Sequence, residues 1–171
     1  MNAVADARAE ASPRVEEVAA PEDLLLQSLM SYWQDRHPQP GLLPGRDDID
    51  PAALPRLLPH LFLIDVEEGE ETPVYRVRLT GGVHDRLYGG SFVGQTVEEA
   101  MGEGARFFRC NFDQVRERRA PLCYRGKLIW WEDRDWLDFE SIQMPLASDG
   151  VKIDMILGAA VFSLLGRKLG Y

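Results

Sequence analysis

Cysteine is scarce in this chain of 171 residues: Cys110 and Cys123 are too few to build a disulfide framework. There is no CxxC, no HxxxH and no Gly-x-Ser-x-Gly, so the spaced signatures of zinc sites and serine hydrolases are missing. No apolar run approaches the roughly 20 residues of a membrane-spanning helix. The acidic, alanine-rich N-terminus also lacks the basic start and apolar run that export requires. These absences predict a cytoplasmic location. Positive charge is in deficit too. A formal net charge of -9 opposes general affinity for nucleic acid or anionic membrane. The one basic stretch, Arg106 to Arg119, reads as the solvated face of an amphipathic helix.

What is present suits one globular domain with a genuine core: 45% hydrophobic and 27% charged residues. Residues 1–20 have no large apolar side chain and are expected to be a disordered tail, because they bury too little surface to offset ordering entropy. Residues 21–50 are expected to form an N-terminal helix and linker. Pro21, Glu22 and Asp23 start the helix, and Pro38, Pro40 and Gly41 end it. Leu26, Leu29, Met30 and Trp33 share one face of it. That stripe either packs on the chain's own sheet or forms an interface with a partner or a second copy.

Residues 51–171 carry the strand signals. A short helix is expected from Pro51 to Leu58 after the N-cap Asp50, then a hairpin of Leu61 to Val66 with Val74 to Thr80. Tyr75, Val77 and Leu79 alternate with Arg76, Arg78 and Thr80, the period of a half-buried strand. Five glycines between Gly81 and Gly94 punctuate the next segment. Thr96 and Glu99 have capping-box spacing, so a short helix runs from Val97 to Met101, and a longer one from Gly104 to Arg119 carries Phe108, Phe112 and Val115 on one face. Three strands follow: Leu122 to Trp131, Trp136 to Ala147 and Val151 to Leu164, the last two joined at Asp149-Gly150. Adjacent Trp130 and Trp131 must point to opposite faces, and Glu132, Asp133, Asp135 and Asp138 read as solvated turn carboxylates.

Strand-strand-helices-strand-strand-strand, read with the local text, resembles a bacterial family of single-domain PAS proteins. The resemblance is carried by Tyr32-Trp33, Leu43-Pro44-Gly45-Arg46, Asp48-Ile49-Asp50-Pro51, Leu57-Leu58-Pro59 and Leu61-Phe62-Leu63-Ile64-Asp65. It continues through Tyr75-Arg76, Gly81, Gly89, Gly94, Met144-Pro145-Leu146, Asp149-Gly150 and Ile156-Leu157-Gly158. It implies an α+β fold: a five-stranded antiparallel sheet with helices over one face, plus the N-terminal helix. It also implies a non-enzymatic sensor or protein-interaction module in bacterial signal transduction, acting on other signalling proteins and often dimeric. One departure is visible. A threonine commonly follows the glycine at Gly81, where this chain has Gly82.

A PAS sensor holds its small molecule between sheet and central helices, which makes Leu63, Tyr75, Val83, His84, Leu87, Phe108, Phe112, Met155, Gly158 and Ala160 the pocket candidates. Gly158, Ala159 and Ala160 lack bulk, leaving either a cavity or a close helix contact. Haem needs an axial ligand; His84 is the one histidine near the expected pocket, while His37 and His60 lie at element ends. Flavin photoreceptors of this fold place a reactive cysteine after an asparagine. In Arg109-Cys110-Asn111-Phe112 the order is reversed, so Cys110 reads as a buried structural cysteine. Neither cofactor is evident, and no metal cluster is found. The alternative is a small α+β enzyme with an apolar cavity and an acidic general base, using His84, Asp85 and Asp154. The absorption spectrum of the purified protein is expected to end with the tryptophan band; bands at longer wavelength would instead name flavin or haem.

Overall fold

The computed structural model of the chain describes residues 15–128, 136–164 and 167–168. In chain order the elements are β1 (Val15–Val18), α1 (Leu24–Asp35), β2 (Leu61–Glu67), β3 (Val74–Thr80), α2 (Gly82–Tyr88), α3 (Val97–Met101) and α4 (Ala105–Arg118). They continue with β4 (Leu122–Lys127), β5 (Asp138–Leu146), β6 (Met155–Leu164) and β7 (Arg167–Lys168). All strand pairs are antiparallel, in the order β1-β4-β5-β6-β2-β3, with β7 added beside β6. The five expected strands are all present, and β1 and β7 extend the sheet they form.

Local chemistry explains the ends of the helices. Asp23 is the N-cap of α1, its carboxylate accepting from Leu25 N at 2.8 Å and Leu26 N at 3.3 Å, so the helix starts after Asp23 and not at Pro21. Thr96 and Glu99 close the expected capping box on α3. Gly89, at φ 80°, ends α2 in the left-handed conformation. The helix expected over Pro51–Leu58 does not form. Single 3₁₀ turns at Pro51–Ala53 and Leu58–His60 replace it, because Pro55 and Pro59 withhold the amides that an α-helix would need.

The sheet is buried on both faces. Leu61 and Leu63 of β2, Ile142, Met144 and Leu146 of β5, and Leu157, Ala159 and Val161 of β6 face one core. Leu26, Leu29 and Trp33 of α1 cover it, joined by Leu43, Ile49, Leu54 and Leu57 from the linker. Trp33 Nε1 donates to Pro145 O at 3.0 Å, a bond with no water to replace it. Ile64, Tyr75, Val77, Phe139, Ile156, Ala160 and Phe162 face the second core, roofed by α2, α3 and α4. The α1 stripe is thus spent on its own sheet: Leu26, Leu29 and Trp33 are buried, and Met30 packs against the same core. These four residues are therefore not the exposed interface considered above.

The ends of the sheet are built by short segments. Residues 15–18, expected within the disordered tail, pair with β4 as β1, from Val15↔Gly126 to Val18↔Cys123. Arg118–Glu17 and Arg125–Glu16 ion pairs hold them from the side. Along β3, the segment before α3 pairs through Val77 N to Gln95 O and Gly94 N to Val77 O. The segment at 94–96 pairs part of the β3 edge, and the β1 edge is only four residues long, which limits it as a template for sheet-to-sheet aggregation. Residues 129–135 lie outside the described residues, and with them the readings for Trp130, Trp131, Glu132, Asp133 and Asp135.

Two glycines mark close approaches. A Cβ on Gly81 would sit 2.4 Å from the carbonyl oxygens of both Leu58 and Pro59, which are backbone atoms. Gly82 has open space around it, so the threonine of the resemblance is not sterically excluded there. Gly81→Ala is expected to destabilise the fold by about 1–3 kcal/mol through overpacking. Leu29→Ala should cost about 2–5 kcal/mol, while Leu24→Ala, at a position 76% exposed, should stay within about 0.5 kcal/mol. Urea melts of the three variants check this; equal losses for Leu24 and Leu29 would contradict the packing of α1.

Candidate ligand cavity

Between the second face of the sheet and α2–α4 lies a cavity of about 70 Å³. Its floor follows from strand register. Ser141 of β5 pairs with Ala160 of β6, and Gln143 pairs with Gly158. Alternation turns Phe139, Ser141 and Gln143 toward the helices, so two polar side chains and two of the smallest residues meet in the middle of the sheet. The walls are aromatic: Phe62 from β2, Phe107, Phe108 and Phe112 from α4, and Phe162 from β6. Close packing fills most of the space between strand and helix; here the small floor residues leave part of it empty.

Gly158 itself is not open to the cavity. A Cβ there would lie 2.1 Å from the Phe62 ring, so the ring of its cross-strand neighbour occupies the place of a side chain. The missing bulk accommodates neither a helix nor a ligand at that position, but an aromatic side chain of the same sheet. Ala160, two residues on, does line the cavity.

The polar groups of the lining are few. Thr80 Oγ1 donates to Asp85 Oδ1 at 2.5 Å. His84 Nε2 lies 2.8 Å from the His60 carbonyl, which can only accept, so Nε2 carries the proton. The imidazole is buried and makes edge contacts with Phe62 and Phe162. Burial lowers its pKa to about 4, against a partial upward pull from the His60 carbonyl, so His84 is neutral at pH 7. Gln143 is 3% exposed, and its Oε1 has no hydrogen-bond partner among the described residues. A buried carbonyl left unpaired is costly, roughly 1–3 kcal/mol. Among the described lining residues it is the buried side-chain atom without a hydrogen-bond partner.

Of the ten pocket candidates, four line the cavity: His84, Phe108, Phe112 and Ala160. Tyr75, Val83 and Leu87 belong to the same core without reaching the cavity. Tyr75 instead donates its hydroxyl to Asp113, and burial together with that bond pushes its pKa up to about 12. Leu63 and Met155 are corrections, since both face the opposite core, under α1. For Met155 alternation alone decides this, because it is out of phase with Ala160. Leu63 was undecidable, since Leu61, Phe62, Leu63 and Ile64 are all apolar.

Several lining residues went unpredicted. Ser141 and Gln143 carry a signal, being polar positions in phase with Phe139 and set among Ile142, Met144, Pro145 and Leu146. Thr80 enters through a bulge: Leu63 pairs Leu79 but Ile64 pairs Val77, so the phase of β3 reverses at Arg78. Leu79, expected beside Tyr75 and Val77, is consequently 39% exposed, while Thr80 faces inward.

The candidate acid-base residues do not converge. His84 lines the cavity, Asp85 is taken by Thr80 outside the lining, and Asp154 accepts from Ser148 N. Cys110, expected to be buried, is exposed, and it is absent from the lining. At about 70 Å³ the space is well below the roughly 300–1,000 Å³ of pockets for drug-sized ligands. Haem or flavin would have to displace the phenylalanine walls, and His84 Nε2 is already engaged. Among the described residues no group of three or more His, Cys, Asp or Glu is placed to hold a metal ion. No described helix is long and apolar enough to cross a membrane.

Comparison with known proteins follows the same lines. The pattern of the PAS domain family matches residues 23–161. The fold is similar to the crystal structure of a Rhodobacter sphaeroides LOV protein at 17% identity and a TM-score of 0.43, covering 70% of each chain. No curated protein matches the chain.

The buried imidazole makes stability depend on pH in a defined direction. Its folded pKa lies below the ordinary 6.5, so the unfolded state binds more protons between pH 6.5 and 4. The contribution is complete above pH 6.5 and is lost as pH falls through 4, amounting to ~3 kcal/mol. Urea melts at pH 7 and pH 4.5 should show this loss in the wild type. His84→Gln keeps a donor for the His60 carbonyl without titrating, and it should lose less over the same range. Identical pH profiles would contradict a buried neutral imidazole.

Proposed function

This chain belongs to the PAS domain family, and from that premise we propose that it is a non-enzymatic sensory module of bacterial signal transduction that reads a small molecule held between the sheet and helices α2–α4. It hands that reading to another protein by direct contact, in the cytoplasm, as a homodimer. The supporting observation is the cavity with a carboxamide oxygen on its floor that has no partner among the described residues. An accidental packing gap would cost stability at an all-apolar site and gain nothing from a buried glutamine.

A route for the signal is compatible with this reading. His84 touches the cavity on one side, and through Nε2 it holds the Leu58–His60 turn on the other. His60 Nδ1 lies 3.1 Å from the Ala160 carbonyl, returning the contact to the cavity floor. A guest that moves the imidazole therefore moves the turn leading into β2, beside the partly exposed Leu58.

Heating the purified protein with and without extract of its host cells tests the sensory reading. A ligand at about 100 times its Kd adds roughly 2.7 kcal/mol, which for a chain of this size is a rise in Tm of about 5–10 °C. Native mass spectrometry of the shifted sample should show a bound small molecule, and light scattering should give the mass of a dimer. An unshifted melt with no bound mass would reject the sensor, and a monomer mass would reject the dimer.

A further inference from the structure

Among the described residues no Asp, Glu, Lys or Arg lines the cavity, and its imidazole is neutral at pH 7. No described lining side chain offsets the desolvation of an ionised guest, which disfavours a charged one. Thr80 and the Nε2 of His84 are already committed to Asp85 and His60. Ser141 and Gln143 remain, on successive inward positions of β5, with Gln143 Oε1 buried and unpartnered among the described residues. The space, about 70 Å³, is less than half of the roughly 150 Å³ cavity that takes up benzene. The guest therefore has few heavy atoms.

We propose that Gln143 is the recognition residue for a small uncharged guest with an apolar body and a single hydroxyl or amide head, of which a short-chain aliphatic alcohol is the simplest form. This rests on the reading of the cavity as a ligand site. The phenylalanine walls take the carbon chain. The carboxamide takes the head, its carbonyl accepting the O–H or N–H and its NH₂ group donating to an oxygen. The alternative occupant is ordered water, which would satisfy the same carbonyl.

The full chain is titrated with propan-1-ol, propanoate and propylammonium, which share a carbon chain and differ in charge. The methyl signals of Ala100, Met101 and Ala160, all in the lining, are followed by NMR. Propan-1-ol is expected to shift them saturably, and the two ions are expected not to. Gln143→Leu keeps the approximate volume and removes the polar head. It should weaken propan-1-ol by about tenfold while xenon, a purely apolar guest, still enters. Xenon binding shows that the variant keeps its fold and cavity.

Equal saturation by either ion, or an unchanged affinity for propan-1-ol in Gln143→Leu, overturns the proposal. If propan-1-ol fails while native mass spectrometry finds a larger bound molecule, the ligand class is wrong and the sensory reading stands. If no probe binds and no molecule is carried by the protein, water is the occupant and both readings fall.

Discussion

The antiparallel pairing of β2 with β6 is the contact on which the rest of the molecule depends. Five register pairs, from Leu61↔Ala159 to Asp65↔Met155, bring the first long strand beside the last. The entropy of closing that long loop is recovered because β6 becomes the middle of the sheet, with β5 on its other side. Every helix then falls on one face or the other. α1 and the linker cover Leu157, Ala159 and Val161, while α2–α4 cover Ile156, Ala160 and Phe162. Two cores thus share one strand, and each residue of β6 serves the core toward which its pleat turns it.

The cavity is a consequence of that arrangement. Where β5 and β6 run side by side, the inward positions are Ser141 with Ala160 and Gln143 with Gly158, the least bulky stretch of the sheet. Phe62 swings over Gly158 and fills one part. The phenylalanines of α4 line the rest. Phe112 of α4 packs against Tyr75, and Val115 and Leu122 belong to the same core. A void flanked by well-packed residues persists because collapse would break contacts on either side of it.

How much of this was legible in the sequence varies with the residue. The capping box at Thr96 and Glu99 rests on local hydrogen bonds, so it was readable from a few neighbours. The stripe of Leu26, Leu29, Met30 and Trp33 announced a buried helix face but not its partner; burial on its own sheet and burial in a dimer need the same residues. His84, Phe108, Phe112 and Ala160 were placed at the cavity because they fall on apolar faces of the expected elements. Leu63 was misplaced since a sheet covered on both sides erases alternation. Leu79 and Thr80 exchanged faces because a bulge depends on the neighbouring strand and leaves no mark in the strand that contains it.

By itself, the sequence determined the order of the five long strands and of α1, α3 and α4, the turn at Asp149-Gly150, the absence of spaced metal or nucleophile motifs, and resemblance to the PAS family. All of these rest on interactions within a few residues or on composition. Tertiary structure alone decided that β1 joins the edge of β4, that α1 lies on the far side of the sheet from α2–α4, and that Gln143 is left with a carbonyl unmet inside an aromatic cavity. Those outcomes are set by which distant strands come to lie at hydrogen-bonding distance. Whether a polar side chain has a partner is a property of the three-dimensional neighbourhood, which linear spacing does not encode.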